Sequence, residues 1–242
     1  CINCSTAYRF IPLLLLGHQQ TVTFVMEYTI NQPDINKSNA FPIVAIGASA
    51  GGIEAMNELL QHLTPSTGMA YIYVQHLNAS HASSLVSIFT RATHMPVVEA
   101  ADGMPIQTDH LYIIPPNADL TVLDGHIKID TRPVKPYAHM PVNKFFQSLA
   151  DNHKVPAIGI ILSGAATDGI SGLKALKVAG GLTFAQGDSA EFQSMPQGAI
   201  ADGAVDLVLS PKEIAEELIR ISNQKESFYG ATQELNEDSF NN

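Results

Sequence analysis

Cysteine is nearly absent: in 242 residues only Cys1 and Cys4 carry a thiol. The body of the chain therefore has no disulfide framework and no thiolate metal centre. The Cys1-x-x-Cys4 pair lacks partner ligands and a surrounding fold, and it is not read as a redox or zinc site. A reducing cytoplasm is the default setting. Basic residues are also scarce, with 13 Lys+Arg against 23 Asp+Glu and a net charge of -10. Affinity for a phosphate backbone rests on Lys and Arg, so nucleic acid is excluded as a partner. The apolar run Ile11-Pro-Leu-Leu-Leu-Leu16 is too short to span a bilayer, and no small-residue cleavage site follows it. No membrane insertion is expected. The nine histidines show no metal-ligand spacing, and no metal or organic cofactor is implied.

What is present suits a sizeable core: 45% hydrophobic and only 15% charged residues. Residues 41–222 read as one globular α/β domain. Residues 1–40 differ in texture; 31–40, Asn-Gln-Pro-Asp-Ile-Asn-Lys-Ser-Asn-Ala, form a polar linker. Met26 is the first methionine, and a natural start there would leave 1–25 outside the native protein. The tail, 223–242, is polar and acidic, and reads as a linker into a further domain.

From residue 42 strand and helix patterns alternate. Strands are expected at Pro42–Gly47, Ala70–Val74, Val97–Glu99, Ala157–Leu162, Leu182–Ala185 and Val205–Leu209. Helices are expected at Gly51–Gln61, Ser83–Thr93, Val142–Asn152, Gly169–Val178, Met195–Ala201 and Lys212–Ile221, the last opened by Pro211. Between them Leu111–Pro115, Asp119–Leu123 and His126–Asp130 have another texture, with Asp124-Gly125 a strong hairpin signal. Near-continuous apolar strands imply a mostly parallel, doubly wound, Rossmann-like α/β sheet covered on both faces, with an antiparallel hairpin added. Right-handed crossovers bring the strand carboxyl ends to one edge.

Three polar residues arrive at that edge. Ser49 follows the first strand in Gly47-Ala-Ser-Ala-Gly51, which reads as a strand-to-helix elbow that lifts a hydroxyl into a cleft. His76 follows the second strand. Asp168 follows Ala157–Leu162, and Asp188 is a rival carboxylate after Leu182–Ala185. A serine, an imidazole to take its proton and a carboxylate to orient the imidazole are the inventory of nucleophilic acyl transfer. The bland alternatives are an N-cap or phosphate-loop serine, a capped polar histidine, and an Asp168 that caps the helix beginning at Gly169. A dinucleotide loop fits poorly. Ser49 replaces the second glycine of Gly-x-Gly-x-x-Gly, and Gln75-His76 stands where an acidic residue is needed.

As a set, Ile46-Gly-Ala-Ser-Ala-Gly-Gly52, Val74-Gln-His76, Ile114-Pro-Pro-Asn117, Ile161-Leu-Ser-Gly164 with Asp168-Gly169, Ala185-Gln186 and Met195-Pro196 with Ala199-Ile200 resemble the catalytic domain of CheB-type protein-glutamate methylesterases. The resemblance runs from Phe41 to Ile221. It implies about seven parallel strands plus a hairpin. It implies Ser49 as nucleophile, His76 as base and Asp168, rather than Asp188, as the orienting carboxylate. The backbone N–H groups of Ala50 and Ala165 would be the oxyanion donors. The implied reaction is hydrolysis of glutamate methyl esters on the cytoplasmic helices of chemoreceptors, with glutamine deamidation in many members.

Two departures stand out. Forty linker-like residues cannot hold the receiver domain that usually precedes this domain. Ala165-Ala166 replaces a Met-Gly or Thr-Gly pair, which narrows the allowed backbone angles wherever φ is positive. Gly68-Met-Ala-Tyr-Ile-Tyr-Val-Gln-His76 and Met95-Pro-Val-Val-Glu99 are similar to methylesterase domains of large hybrids fused to methyltransferase and sensor domains. The competing functional class is a non-catalytic regulatory module that binds a partner through the same crevice.

Overall fold

The computed structural model describes residues 41–75, 82–131, 139–152, 155, 157–165 and 167–224, except the side chains of 82–84 and 131. In chain order the strands are β1 (Ile43–Ala48), β2 (Ala70–Gln75), β3 (Val97–Glu99), β4 (Leu111–Ile113), β5 (Ala118–Leu123), β6 (His126–Thr131), β7 (Ile158–Ile161), β8 (Leu182–Gln186) and β9 (Leu207–Leu209). The helices are α1 (Gly52–His62), α2 (Ala82–Thr90), α3 (Pro141–Asn152), α4 (Ile170–Val178), α5 (Ser194–Ala201) and α6 (Pro211–Asn223). Seven strands form one sheet in the order β3-β4-β2-β1-β7-β8-β9, every pair parallel. β5 and β6 form a separate antiparallel pair.

The sheet is apolar through both faces because both are covered. Side chains alternate across a strand. Val44, Ile46, Tyr71, Tyr73, Ile158 and Ile160 pack with Met56 and Leu59 of α1, Phe89 of α2 and Leu218 of α6. Ile43, Ala45, Ile72, Val74 and Ile161 face the other way, against Phe145 and Phe146 of α3, Leu173 of α4 and Met195 of α5. Each such large side chain, fully buried, contributes about 1.5–3 kcal/mol relative to exposure. Leu120 and Val122 of β5 and Ile127 of β6 join this second core, so the hairpin is an outer layer over the sheet. Its turn is Asp124-Gly125, with φ of 49° and 73°; positive φ at both central residues suits the right-handed twist of a two-residue hairpin.

Most strand boundaries fall within one residue of the sequence pattern, and two depart from it by two residues. β4 stops at Ile113, before Pro115-Pro116, where proline cannot donate to a ladder. β9 starts at Leu207 rather than Val205. Asp206 is used otherwise: its carboxylate accepts the Thr183 N–H at 2.9 Å and hydroxyl at 2.8 Å, and it pairs with Lys177 at 2.8 Å. Pro211 lies in the first turn of α6, as the sequence pattern anticipates, and Ser210 caps the helix in a full capping box with Glu213.

Candidate active site

The strand order places the site. The chain runs from β1 to β2 and on to β3 and β4 on one side, then returns to β7, β8 and β9 on the other. The direction reverses between β1 and β7, and ligands of open α/β sheets bind at the carboxyl ends of strands at such a reversal. Gly47 of β1 stands beside Ile161 of β7, and Ala48 beside Gln75 of β2. Ser49 leaves β1 between these two neighbours.

Ser49 does not cap α1. The cap position is Gly51, at φ 71° and with no side-chain cap bond. Glycine is needed there for its left-handed backbone and for space, since a Cβ would lie 2.6 Å from the Ser163 Oγ. Ser49 is half-buried. Its N–H donates to the Ser163 carbonyl at 3.0 Å. Its own carbonyl accepts the Gly52 N–H at 3.1 Å and the Gln75 Nε2 at 2.9 Å.

The loop after β7 is bound as tightly. The Ser163 Oγ donates to the Ala50 carbonyl at 2.8 Å and accepts the Phe192 N–H at 3.0 Å. The Ser163 N–H donates to Gln186 Oε1 at 2.9 Å. Gly164 follows with no room for a side chain: a Cβ would meet Met195 Sδ at 2.4 Å and Ser49 Cβ at 3.1 Å. Ala165 is exposed. Among the described residues the N–H groups of Ala50 and Ala165 donate to no backbone carbonyl. Ala166 lies outside the described residues, and so does the question of its φ.

Asp168 is 1% exposed, and it does not cap its own helix, contrary to the bland alternative. Gly169 caps α4, at φ 97° and without a side-chain bond. The carboxylate instead reaches the amino end of α3, where Oδ2 accepts the Val142 N–H at 2.9 Å and Oδ1 the Asn143 N–H at 2.8 Å. A helix amino terminus offers unpaired N–H groups and a positive dipole end. Asp188 is exposed, which removes it as a buried third member. His76 lies just past β2, outside the described residues.

Sequence reasoning quoted Gln75, Ser163 and Gln186 without giving them work. All three are polar residues at or just past a strand end, and each ties one edge loop to another. Polar residues closing apolar strands were the available signal. No group of three or more His, Cys, Asp or Glu side chains arranged to hold a metal ion occurs among the described residues. Among them, too, no helix is long and apolar enough to cross a membrane.

A serine at the switch point of a doubly wound parallel sheet, with a buried carboxylate delivered after the adjacent strand, is a frame suited to a hydrolase. The chain belongs to the CheB methylesterase family, whose model matches residues 44–218. A Xanthomonas campestris relative named protein-glutamate methylesterase/protein-glutamine glutaminase 1 is 36% identical over 187 residues. That match covers 75% of this chain and 52% of the relative, so the chain spans about half that relative's length. A Leptospira interrogans protein provisionally given the same activities is 32% identical over 75% of this chain and 95% of its own length. The crystal structure of the Thermotoga maritima CheB methylesterase catalytic domain superposes with a TM-score of 0.69 at 27% identity, covering 75% of this chain and 99% of that one.

Proposed function

We propose that residues 41–222 are a protein-glutamate methylesterase domain working through Ser49, His76 and Asp168. The Ser49 Oγ attacks the γ-carbonyl carbon of a glutamate methyl ester while His76 takes the hydroxyl proton. The oxyanion that forms is met by the N–H groups of Ala50 and Ala165. Collapse expels methoxide, which leaves as methanol with the proton held by His76. Water then attacks the glutamyl-enzyme, again giving a proton to His76, and the freed acid departs as Ser49 recovers its proton. Asp168 holds the imidazole in the right tautomer and stabilises its charged form. Each carboxylate oxygen has acceptor capacity beyond the one helix N–H it takes. An amide substrate follows the same path with ammonia as leaving group, which is glutamine deamidation.

The observation that carries this reading is the placement of Asp168. A buried carboxylate that follows the strand next to that of Ser49, and that binds the N–H groups of Val142 and Asn143 instead of capping its own helix, supports the role of orienting carboxylate. The substrate class is a methylated protein, of the kind found on cytoplasmic helices of chemoreceptors, and the setting is cytoplasmic. The test is methanol release from methyl-labelled chemoreceptor, with Ser49→Ala as control. Release by the wild-type protein and none by the variant is the expected result. Equal release from both removes Ser49 from the mechanism, and no release from either favours the regulatory-module reading.

A further inference from the structure

The peptide between Ser49 and Ala50 carries the N–H assigned above to the oxyanion. A trans peptide is planar, with its C=O and N–H pointing to opposite sides. Whatever fixes the Ser49 carbonyl therefore aims the Ala50 N–H. A carbonyl oxygen only accepts, so the Gln75 atom 2.9 Å from it is the amide nitrogen, Nε2. The other amide atom, Oε1, accepts the Tyr73 hydroxyl at 2.8 Å. Tyr73 is fully buried and wedged edge-on against Phe89, with ring centroids 5.2 Å apart at 84°. Burial, with the nearby Glu54 charge adding to it, pushes its phenol far above the ordinary range, so it stays a neutral donor. Tyr73 and Gln75, two apart on β2, share one face of the sheet. Together they form a relay from the core to the back of the Ser49–Ala50 peptide.

We infer that Gln75, oriented by Tyr73, is a positioning residue that holds the Ser49–Ala50 peptide so that the Ala50 N–H faces the developing oxyanion. This rests on the methylesterase reading above. Gln75 touches the carbonyl behind the peptide; the donor it sets acts in front. The Gly52 N–H reaches the same carbonyl at 3.1 Å, but it belongs to the turn itself and moves with it. Gln75 comes from the neighbouring strand, in register with Ala48, and supplies an outside reference for the peptide plane.

The donor acts on charge present only in the transition state, so its misalignment lowers kcat and leaves KM alone. Removing an oxyanion donor outright costs about 10²–10³ in kcat. Removing its anchor should cost less, about 10–100-fold in Gln75→Leu. Gln75→Glu keeps the shape but puts an ionised acceptor against a carbonyl, and it should lose a similar factor. Tyr73→Phe frees the amide to turn and should cost about 3–10-fold by the same logic. Because both residues act through one amide, Tyr73→Phe should add nothing to Gln75→Leu.

The experiment measures kcat and KM for methanol release by the wild type, these three single variants, the Tyr73→Phe/Gln75→Leu double variant and Ser49→Ala, with thermal unfolding alongside. A fall in kcat with KM within twofold, in folded variants and without additivity, supports the relay. If Gln75→Leu does not fold, the near-isosteric Gln75→Glu and Tyr73→Phe give the same reading. A wild-type kcat in Gln75→Glu, a change confined to KM, or full additivity overturns it while the nucleophile stands. If the wild type releases no more methanol than Ser49→Ala, the methylesterase reading falls and the role of Gln75 falls with it.

Discussion

The Ser163 hydroxyl donates to the Ala50 carbonyl at 2.8 Å, across 113 positions of sequence. With the Ser49 N–H bonded to the Ser163 carbonyl at 3.0 Å, the loops after β1 and β7 are joined in both directions. The same hydroxyl accepts the Phe192 N–H, so the segment after β8 is held as well. One buried oxygen thus fixes three chain segments around Ser49.

Ser163→Ala should therefore act on more than stability. It leaves the Phe192 N–H and the Ala50 carbonyl without the hydroxyl that joins them. A hydrogen bond of this kind contributes about 0.5–1.5 kcal/mol, and an orphaned buried group costs about 1–3 kcal/mol. Urea unfolding should show a loss in that range. Methanol release should fall as well, because Ala50 loses its tie to the β7 loop. A stability loss with unchanged kcat would confine Ser163 to a structural role.

The frame of this site was legible because the strands are continuous apolar runs punctuated by Gly, Pro and Ser. β1 ends where Ser49 begins, and Asp124-Gly125 takes the positive φ values its sequence demands. The work of Asp168 was not legible. Its partners, Val142 and Asn143, lie 26 and 25 positions upstream on another helix, and only folding brings α3 to them. Local pattern suggested a cap for α4, where Gly169 needs no side-chain cap. Gln75 is a similar case, its acceptor 26 positions away across a strand pair. Periodicity reports which face a side chain occupies; it carries no information on which distant carbonyl that side chain meets. His76 lies outside the described residues, so its part in the site rests on chemistry and family.

Asp168→Asn separates the hold of this carboxylate on α3 from the orienting role proposed for it. The amide keeps one acceptor for the α3 N–H groups but sets an NH₂ against the other. It also removes a negative charge from the helix amino end. Together these should cost about 1–2 kcal/mol of stability. The amide also presents the wrong partner to an imidazole that must become positive, and comparable changes in serine triads lower kcat about 10⁴-fold. Methanol release should fall by at least about 10²-fold on that basis, with KM little changed. A loss of stability alone would detach Asp168 from the chemistry.

The hairpin is held to α3 by charge, which makes its attachment depend on pH. Asp119 of β5 meets Lys144 Nζ at 2.9 Å and His139 Nε2 at 2.6 Å. Burial alone would raise the Asp119 carboxyl; hydrogen bonds from Lys144 and His139 outweigh it and hold it below the ordinary 3.8. Burial likewise works against the Lys144 ammonium, and Asp119 and Asp130 outweigh it, raising that group above 10.5. A lowered carboxyl contributes stability that is present above its unfolded value and lost as pH falls through the folded one. A raised ammonium contributes below its unfolded value and loses that contribution as pH climbs through the folded one. The cluster should therefore stabilise the fold between about pH 4 and pH 10. Denaturant midpoints across pH should show Asp119→Asn flattening the acid limb. An identical acid limb in wild type and variant would show that the pair contributes nothing.

Gly164 tests how closely the β7 loop must approach Ser49. Its N–H donates to the Phe192 carbonyl at 2.9 Å and its carbonyl accepts the Met195 N–H at 3.0 Å, so the backbone is held on both sides. In Gly164→Ala the new Cβ would meet Met195 Sδ at 2.4 Å, Met195 Cβ at 3.0 Å and Ser49 Cβ at 3.1 Å. The sulfur can swing aside; the two Cβ atoms move only with their backbones. Overpacking of this kind costs about 1–3 kcal/mol, and part of the displacement falls on Ser49. The variant should lose thermal stability and kcat together. Gly187→Ala is the control, since its Cβ meets only Val208 Cγ1, at 3.2 Å, and its kcat should stay at the wild-type value. If Gly164→Ala loses stability but keeps the kcat of Gly187→Ala, the strain is absorbed by Met195 and α5, and Ser49 is not in tight register with the β7 loop.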